Sequence, residues 1–541
     1  MERSRPERYP AIEMRLLALL LFPFLLAAQD NLCEVSGSVV NALTGEPIRH
    51  AQVTLRRIDT APGATSSVAT DSSGNFAATL EPGTYRISAD HTGFIPAQLG
   101  ARGPSKPSPP LVLTAGRKTT GQRINLYPQG VISGRIVDED GEPVPNVDVQ
   151  VSRLQYMAGR KQLSRSNSRM TNDLGEYRIF GLSPGRYYLN AVYRSDPTLA
   201  GEGQYVSTYY PRTPDPAAAA PLEIVPGSQL GNIDVTLVRI RTVTVKGRVI
   251  SESGGGDIHM ILSASNPLGA ANENGRGAAV LPDGGFEFRN VIPGSYQLIA
   301  IQSAPGKAYS SRIPLQVGAG NIEGVVLTLH APLNIAGEIK VEGETTENLS
   351  RTRIGLQPFD PGNIVVGPMP DLALKPDRTF LLPDLSAEHY RIVVNNLPDG
   401  FYVKSIRSAE VNVQLAGLDL TAGASSPLEI VLSPNAGALT GTVVDPRTQK
   451  PVTGGTVVLV PQDKERRTRE SFYRTASTDL GGQYTFKNLI PGDYKAFCWD
   501  DVPYGSWMDP DFMTSQESRG TAISIPERTP QSLQLTLLTE Q

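Results

Sequence analysis

One short sentence recurs along the chain and constrains everything else about it. It reads DSSGNFAATLEPGTYRISA at 71–89, DLGEYRIFGLSPGRYYLNA at 173–191, PDGGFEFRNVIPGSYQLIA at 282–300 and DLGGQYTFKNLIPGDYKAF at 479–497. A looser version, PDRTFLLPDLSAEHYRIVV, stands at 376–394. Each copy is preceded by a β-like run around a glycine: Gly37, Gly134, Gly247, Gly337 and Gly441. Within the sentence an aromatic follows a turn (Phe76, Tyr177, Phe286, Phe380, Tyr484) and a tyrosine comes later (Tyr85, Tyr187, Tyr296, Tyr390, Tyr494). The interval between the two is nine residues in the first copy and ten in the other four. Loops drift between copies while core geometry cannot, so the constancy predicts one shared fold.

The sentence has a mechanical reading. Asp71, Asp173, Asp283 and Asp479 begin turns completed by Gly74, Gly175, Gly284 and Gly481, where Asp bonds the backbone and Gly takes positive φ. Alternating residues, as in Tyr484 and Phe486 about Thr485, predict a strand with one buried face. Pro-Gly at Pro82, Pro184, Pro293 and Pro491 suits a type II turn. The tyrosine beyond it starts another strand, its ring in the core and its hydroxyl on a backbone group at the corner, which leaves it no catalytic task. Between opening strand and hairpin lies a further strand-turn-strand slot, as in EDGEPVPNVDVQV.

At 541 residues the chain exceeds any single hydrophobic core. Its 52 glycines and 44 prolines make roughly 18%, against roughly 12% in average usage. With 19% charged residues the excess reads as turns, not disorder. Units of about 100 residues with many short strands predict an all-β chain, a tandem array of five Greek-key-type β-sandwich domains after a signal peptide. The expected boundaries are 1–29 for the signal peptide, then 30–127, 128–240, 241–331, the divergent 332–434, and 435–541.

The leader rests on Arg15 followed by LLALLLFPFLLAA, a charge-free run of secretory length and short for a bilayer span. Met14 offers an alternative start, and cleavage is expected near Ala28 or Gln29, although Leu26 is a poor small-residue match. Cys33 lacks the small residue a lipoprotein signal places before its cysteine, and no later run of 18 apolar residues offers a transmembrane span in the mature chain. Export to the periplasm, cell surface or medium is the expectation. A net charge of −4 excludes a basic field for nucleic acid. Cys33 and Cys498 lie in the first and last copies, so a disulfide between them is not expected.

The run SGRIVDEDGEPVPNVDV followed by TNDLGEYRIFGLSPGRYYLNA resembles the carboxypeptidase regulatory-like domain. That resemblance implies a transthyretin-like sandwich, related to starch-binding-type and Cna-B-type modules. Copies one, two and five match well and copy three partly, while copy four lacks the Pro-Gly turn. Members often precede a peptidase domain or a transporter barrel, and neither is expected here.

No enzyme chemistry is legible. His50, His91, His259, His330 and His389 are scattered, with no HExxH, and GxSxG, P-loop and GxGxxG motifs are missing, so neither metal nor cofactor is expected. DEDGE at 138–142 reads as a hairpin turn before it reads as a calcium loop.

Differences between copies are more informative. After the tyrosine strand come HTGFIPAQLG, YRSDPTLAGEGQYVSTYYPRTPDPAAAAP and CWDDVPYGSWMDPDFM, long connections at one end of a sandwich, where binding is commonly placed. The candidate carbohydrate site is Trp499, Asp500, Asp501, Tyr504 and Trp507, with Tyr209 and Tyr210 from the second copy. Flat rings offer faces to sugar CH groups, and the acids accept hydroxyl hydrogen bonds. Asp509, Asp511 and Phe512 lie beside them. The competing reading is packing: these aromatics cover a sheet edge or seal the contact with copy four. Paired carboxylates also suit glycoside hydrolysis, but no enzyme-sized domain accompanies them. GRKQLSRSNSR at 159–169 and DKERRTRE at 463–470 read as solvated loops, or as attraction for an anionic polymer. Two functions follow: a non-catalytic exported binding or adhesion protein with a polysaccharide ligand, or a structural module of the cell envelope that binds another protein through exposed strand edges.

Overall fold

Side-chain alternation dictates the strands. In Asn75–Leu80 every second residue is buried, and Gln483–Leu489 begins the same way. The computed structural model describes residues 32–538 apart from 61–62, 102, 105–107, 109, 158, 194–203, 254–255, 266–274, 305–306, 344, 361–363, 365 and 424–425. The leader at 1–29 and the 194–203 part of the second decorated loop lie outside the described residues. Contacts divide the chain after Gly130 into two compact units, the second running from Val131 onward.

The first unit is one sandwich. Cys33–Asn41 pairs antiparallel with Asn75–Leu80 and parallel with Lys118–Pro128. Facing it, Gln52–Arg57 lies between Thr65–Ala69 and Gly83–Asp90. The second unit repeats this plan four times. The opening strands Gly130–Val137, Val243–Ile250, Leu333–Val341 and Gly437–Val444 each sit between a sentence strand and a parallel closing strand. The chain is thus an all-β array of five sandwiches. Their cores are local in sequence, drawn from 33–126, 132–237, 243–329, 335–432 and 439–537.

The corner tyrosine behaves as its position demands. The hydroxyls of Tyr85, Tyr187, Tyr296, Tyr390 and Tyr494 donate to the carbonyls of Glu81, Ser183, Ile292, Ser386 and Ile490 at 2.8–3.1 Å, always four residues back. The fourth copy keeps this bond without its Pro-Gly, so its strand path is that of the others. The opening glycine has a steric cause. A Cβ on Gly441 would stand 1.9 Å from the Leu533 carbonyl oxygen, and the Tyr484 ring lies across the same position.

Four turn assignments need correction. In the third copy the turn runs from Leu281, which bonds Gly284 and Gly285, and Asp283 lies inside it, accepting from Gly285 N at 2.9 Å. In the second copy Asn172, not Asp173, accepts from the turn, taking Leu174 N and Glu176 N at 3.0 and 2.8 Å. In the fifth copy positive φ falls on Gly482, not Gly481. The Pro-Gly pairs are not type II turns, which need φ near +80° at glycine. Gly185 and Gly492 lie at +141° and +145°, and Gly83 and Gly294 do not take positive φ, because each glycine is already the first residue of its strand.

The left-handed residue lies earlier, at Gly181, Asn290, Asp384 and Asn488. In the last three copies it is the extra residue of a β-bulge: Val243 pairs with Val291 but Val245 with Phe288, and the same slip recurs opposite Leu333 and Gly437. The first copy pairs from Cys33 with Leu80 to Ser38 with Asn75 without a slip. That bulge is why the interval between aromatic and tyrosine is ten residues there and nine in the first copy.

Candidate functional site at the junction of the second, fourth and fifth repeats

The fifth sandwich has a sheet buried on both faces. Val457, Leu459, Tyr494, Ala496 and Cys498 point into its own core. Val458, Val460, Phe497 and Trp499 point outward, yet are equally buried, beneath a cover built from 500–520. That cover is a 3-10 turn at Ser506–Met508 and a helix at Pro510–Gln516, with Trp507 and Met513 facing the sheet. Trp499 stacks on Phe497 with centroids 5.0 Å apart and planes 3° from parallel, Phe512 stands 6.0 Å away, and the indole N–H donates to Gln516 Oε1 at 3.4 Å.

The candidate residues are therefore divided. Trp499 and Trp507 are each 3% exposed, so the faces a sugar would need are taken up by packing. Tyr209 is buried with Leu163 and Ala219, and Tyr210 packs against the second core. Asp500 and Asp501 are exposed, and Tyr504, 67% exposed, meets the edge of Trp507 in a T-shaped contact at 5.1 Å. The tyrosine pair and the tryptophan loop belong to separate clusters of side chains.

The cover also holds the second repeat. Strands Asp148–Met157 and Arg160–Met170 form a long hairpin whose tip reaches it. At Gly159 the backbone comes so near that a Cβ would stand 2.8 Å from Met508 Cβ. Lys161 Nζ lies 3.1 Å from Asp509 and 3.3 Å from Asp511, and these carboxylates hold the ammonium's pKa above its ordinary value. Asp509 is itself buried and caps the helix by accepting from Asp511 N. The packing reading expected contact with the fourth copy; what meets the cover here is the hairpin of the second copy, at Gly159 and Lys161.

The fourth repeat joins at the same place. Arg160 pairs with Asp360 at 2.8 Å. Phe359 stacks on His389 at 3.7 Å, and the Arg469 guanidinium lies 4.3 Å above the Phe359 ring while its Nε donates to Leu415 O at 2.7 Å. Burial, with Arg391 and Arg160 nearby, pushes the pKa of Arg469 down. Arg467 grips Glu517 through two bonds of 3.2 and 3.0 Å. Arg467 and Arg469 of 463–470 are thus structural, while Asp463, Lys464, Glu465 and Thr468 face solvent, and the tip of 159–169 is likewise held by packing. Between the third and fourth repeats Arg312 Nε lies 2.9 Å from both Glu388 oxygens.

Sequence reasoning missed these junctions, although one signal was present. Val457–Val460 and Ala496–Trp499 are unbroken apolar runs, which mark strands buried on both faces. It also missed a threonine before each turn in copies one, two and five. Thr70, Thr171 and Thr478 are buried, each donating to one backbone carbonyl and accepting from one N–H.

The junction contains no reactive constellation, and among the described residues no group of three His, Cys, Asp or Glu is placed to hold a metal ion. Asp138 Oδ1 accepts from Asp140 N and Glu142 N, as a hairpin turn does. Cys33 and Cys498 are buried and neither is in a disulfide. Among the described residues no helix is long and apolar enough to cross a membrane.

No curated protein matches the chain. Among solved structures it is similar to the Bacillus anthracis TIE protein, at 11% identity over 55% of this chain and 51% of that one, with a TM-score of 0.17. It is also similar to a Streptococcal ancillary pilin (11% identity, 56% and 99% covered, TM-score 0.22) and to BcpA, the major pilin subunit of Bacillus cereus (10%, 76% and 99%, TM-score 0.16). The chain spans about half the length of the Bacillus anthracis protein. The carboxypeptidase regulatory-like domain matches residues 34–126 and 131–200. The chain thus carries the carboxypeptidase regulatory-like domain in tandem over those two segments, and the same sentence recurs on the same sandwich frame in the three repeats that follow.

Proposed function

We propose that the chain is an exported, non-catalytic assembly module of the cell envelope that binds another protein, with domains at 30–127, 128–240, 241–331, 332–434 and 435–541 once 1–29 is removed. The observation that carries this reading is the outermost strand of the first sandwich, Thr65–Ala69. Among the described residues it pairs on one side only, with Gln52–Arg57, and none of its own residues is charged. Sheet edges that must stay unpaired are commonly blunted by charge. The equivalent strand of the second sandwich, Arg160–Met170, carries Arg160, Lys161, Arg165 and Arg169. Thr65–Ala69 has no such charge, which suits the addition of a partner's strand.

The test is in-cell crosslinking of the full chain, with its leader, beside a variant carrying Thr65→Lys and Ser67→Lys, two exposed positions of that strand. A crosslinked envelope protein is expected with the wild type and lost in the variant, with the melting temperature unchanged. Persistence of the adduct in the variant, or no adduct with the wild type, overturns the reading.

One observation favours carbohydrate instead: Tyr504 is the exposed ring of the candidate set, with Asp500 and Asp501 exposed beside it. Retention of the wild type on insoluble polysaccharide in high salt, abolished by Tyr504→Ala, moves the conclusion to a glycan.

A further inference from the structure

The cleft between the fourth and fifth repeats is separate from the edge strand and from the tryptophan cover. It is an open cleft of about 440 Å³, and its apolar walls include Ile392, Leu397, Phe401, Ile406, Phe472 and Ile490. Two arginines also line it. Arg391 donates to Gln357 Oε1 at 3.0 Å and stands 3.7 Å from Glu470, while its Nε is buried without a hydrogen-bond partner. Among the described residues Arg474 pairs with no carboxylate: its Nη1 donates to the backbone carbonyls of Ser471 at 2.5 Å and Tyr473 at 3.0 Å. Burial lowers the pKa of Arg474, the mark of a cation held away from water.

Two guanidiniums against one loosely held carboxylate leave the cleft with uncompensated positive charge. Buried charges are ordinarily paired, because desolvation without a counter-ion is costly. We propose that this cleft binds a small organic anion, a carboxylate carried on a hydrocarbon chain or ring. The carboxylate accepts from Arg391, whose Nε has no partner, Arg474 adds positive charge to the same cleft, and the hydrocarbon lies on the Ile, Leu and Phe walls. A free inorganic anion would leave those walls without a partner, and an amphiphilic cation would meet the guanidiniums with like charge.

Titration calorimetry of the whole mature chain tests this with octanoate, using acetate and octyltrimethylammonium as controls. Octanoate is expected to bind at one site per chain, acetate far more weakly, and the cation not at all. Arg391→Gln should weaken octanoate binding by about tenfold or more, the loss of one charge-assisted pair. A diazirine-bearing octanoate on the wild type supplies a readout that does not depend on the variant folding, and its labels should fall within 389–408 or 470–490. Absence of octanoate binding, equal binding by the variant, or labelling elsewhere overturns the proposal. None of these outcomes bears on Thr65–Ala69, so the assembly reading stands or falls separately.

Discussion

Trp499→Ala separates a packing residue from a ligand platform. At 3% exposure, with Phe497 stacked on one face and Phe512 beside it, Trp499 loses nearly all its contact area on truncation. A tryptophan buries roughly 150–250 Å², and at about 25 cal/mol per Å² that is ~4–6 kcal/mol, in line with the ~3–5 kcal/mol seen for Trp or Phe to Ala in cores. Both tryptophans of the chain lie in the fifth repeat, so fluorescence excited in the indole band reads that sandwich alone. The variant retains Trp507 as its reporter. With a urea slope of about 1.5 kcal/mol per M for a domain of this size, the midpoint should fall by about 2–3 M. The wild type should emit as a buried indole. A midpoint moved by less than about 0.5 M, or emission at the wavelength of an indole in water, refutes the packing argument.

The bulge and the arginine clamp supply two further tests. Asn488, at φ +55°, donates to Pro398 O and accepts from Gly400 N, so Asn488→Ala should cost about 2 kcal/mol while Asn488→Gly, free of the backbone term, costs less; urea melts of both check the order. Arg467, with Lys495, holds the Glu517 carboxyl below its ordinary value of 4.5. A depressed pKa stabilises the fold above the unfolded value and the effect is lost as pH falls through the folded one, so the wild type should lose stability below about pH 4.5 more steeply than Glu517→Gln, and parallel melting curves against pH would contradict this.

Much of the fold was legible because its determinants are local. The turn polar residue, the alternating strand and the corner tyrosine each act within a few residues, and each of the five tyrosine hydroxyls bonds a carbonyl four positions back. The cores are equally local, so repetition was enough to predict five sandwiches. Even the bulge left a trace, as one extra residue between two aromatics, although only the strand register revealed what that residue does.

The candidate site was another matter. An aromatic-rich loop after a strand reads the same whether its rings face water or a second sheet face, because composition carries no direction. What decided it was the outward side of 456–499, already apolar at Val458, Val460 and Phe497, which has to be covered by something. Equally, Lys161 and Asp509 lie far apart in sequence, and Arg160 meets Asp360 across another repeat. Charges in exposed-looking turns pair with whatever the packing of sandwiches brings near, and that packing is set by the shape of whole domains. Sequence determined each sandwich; tertiary structure determined which of its decorations were left for a partner.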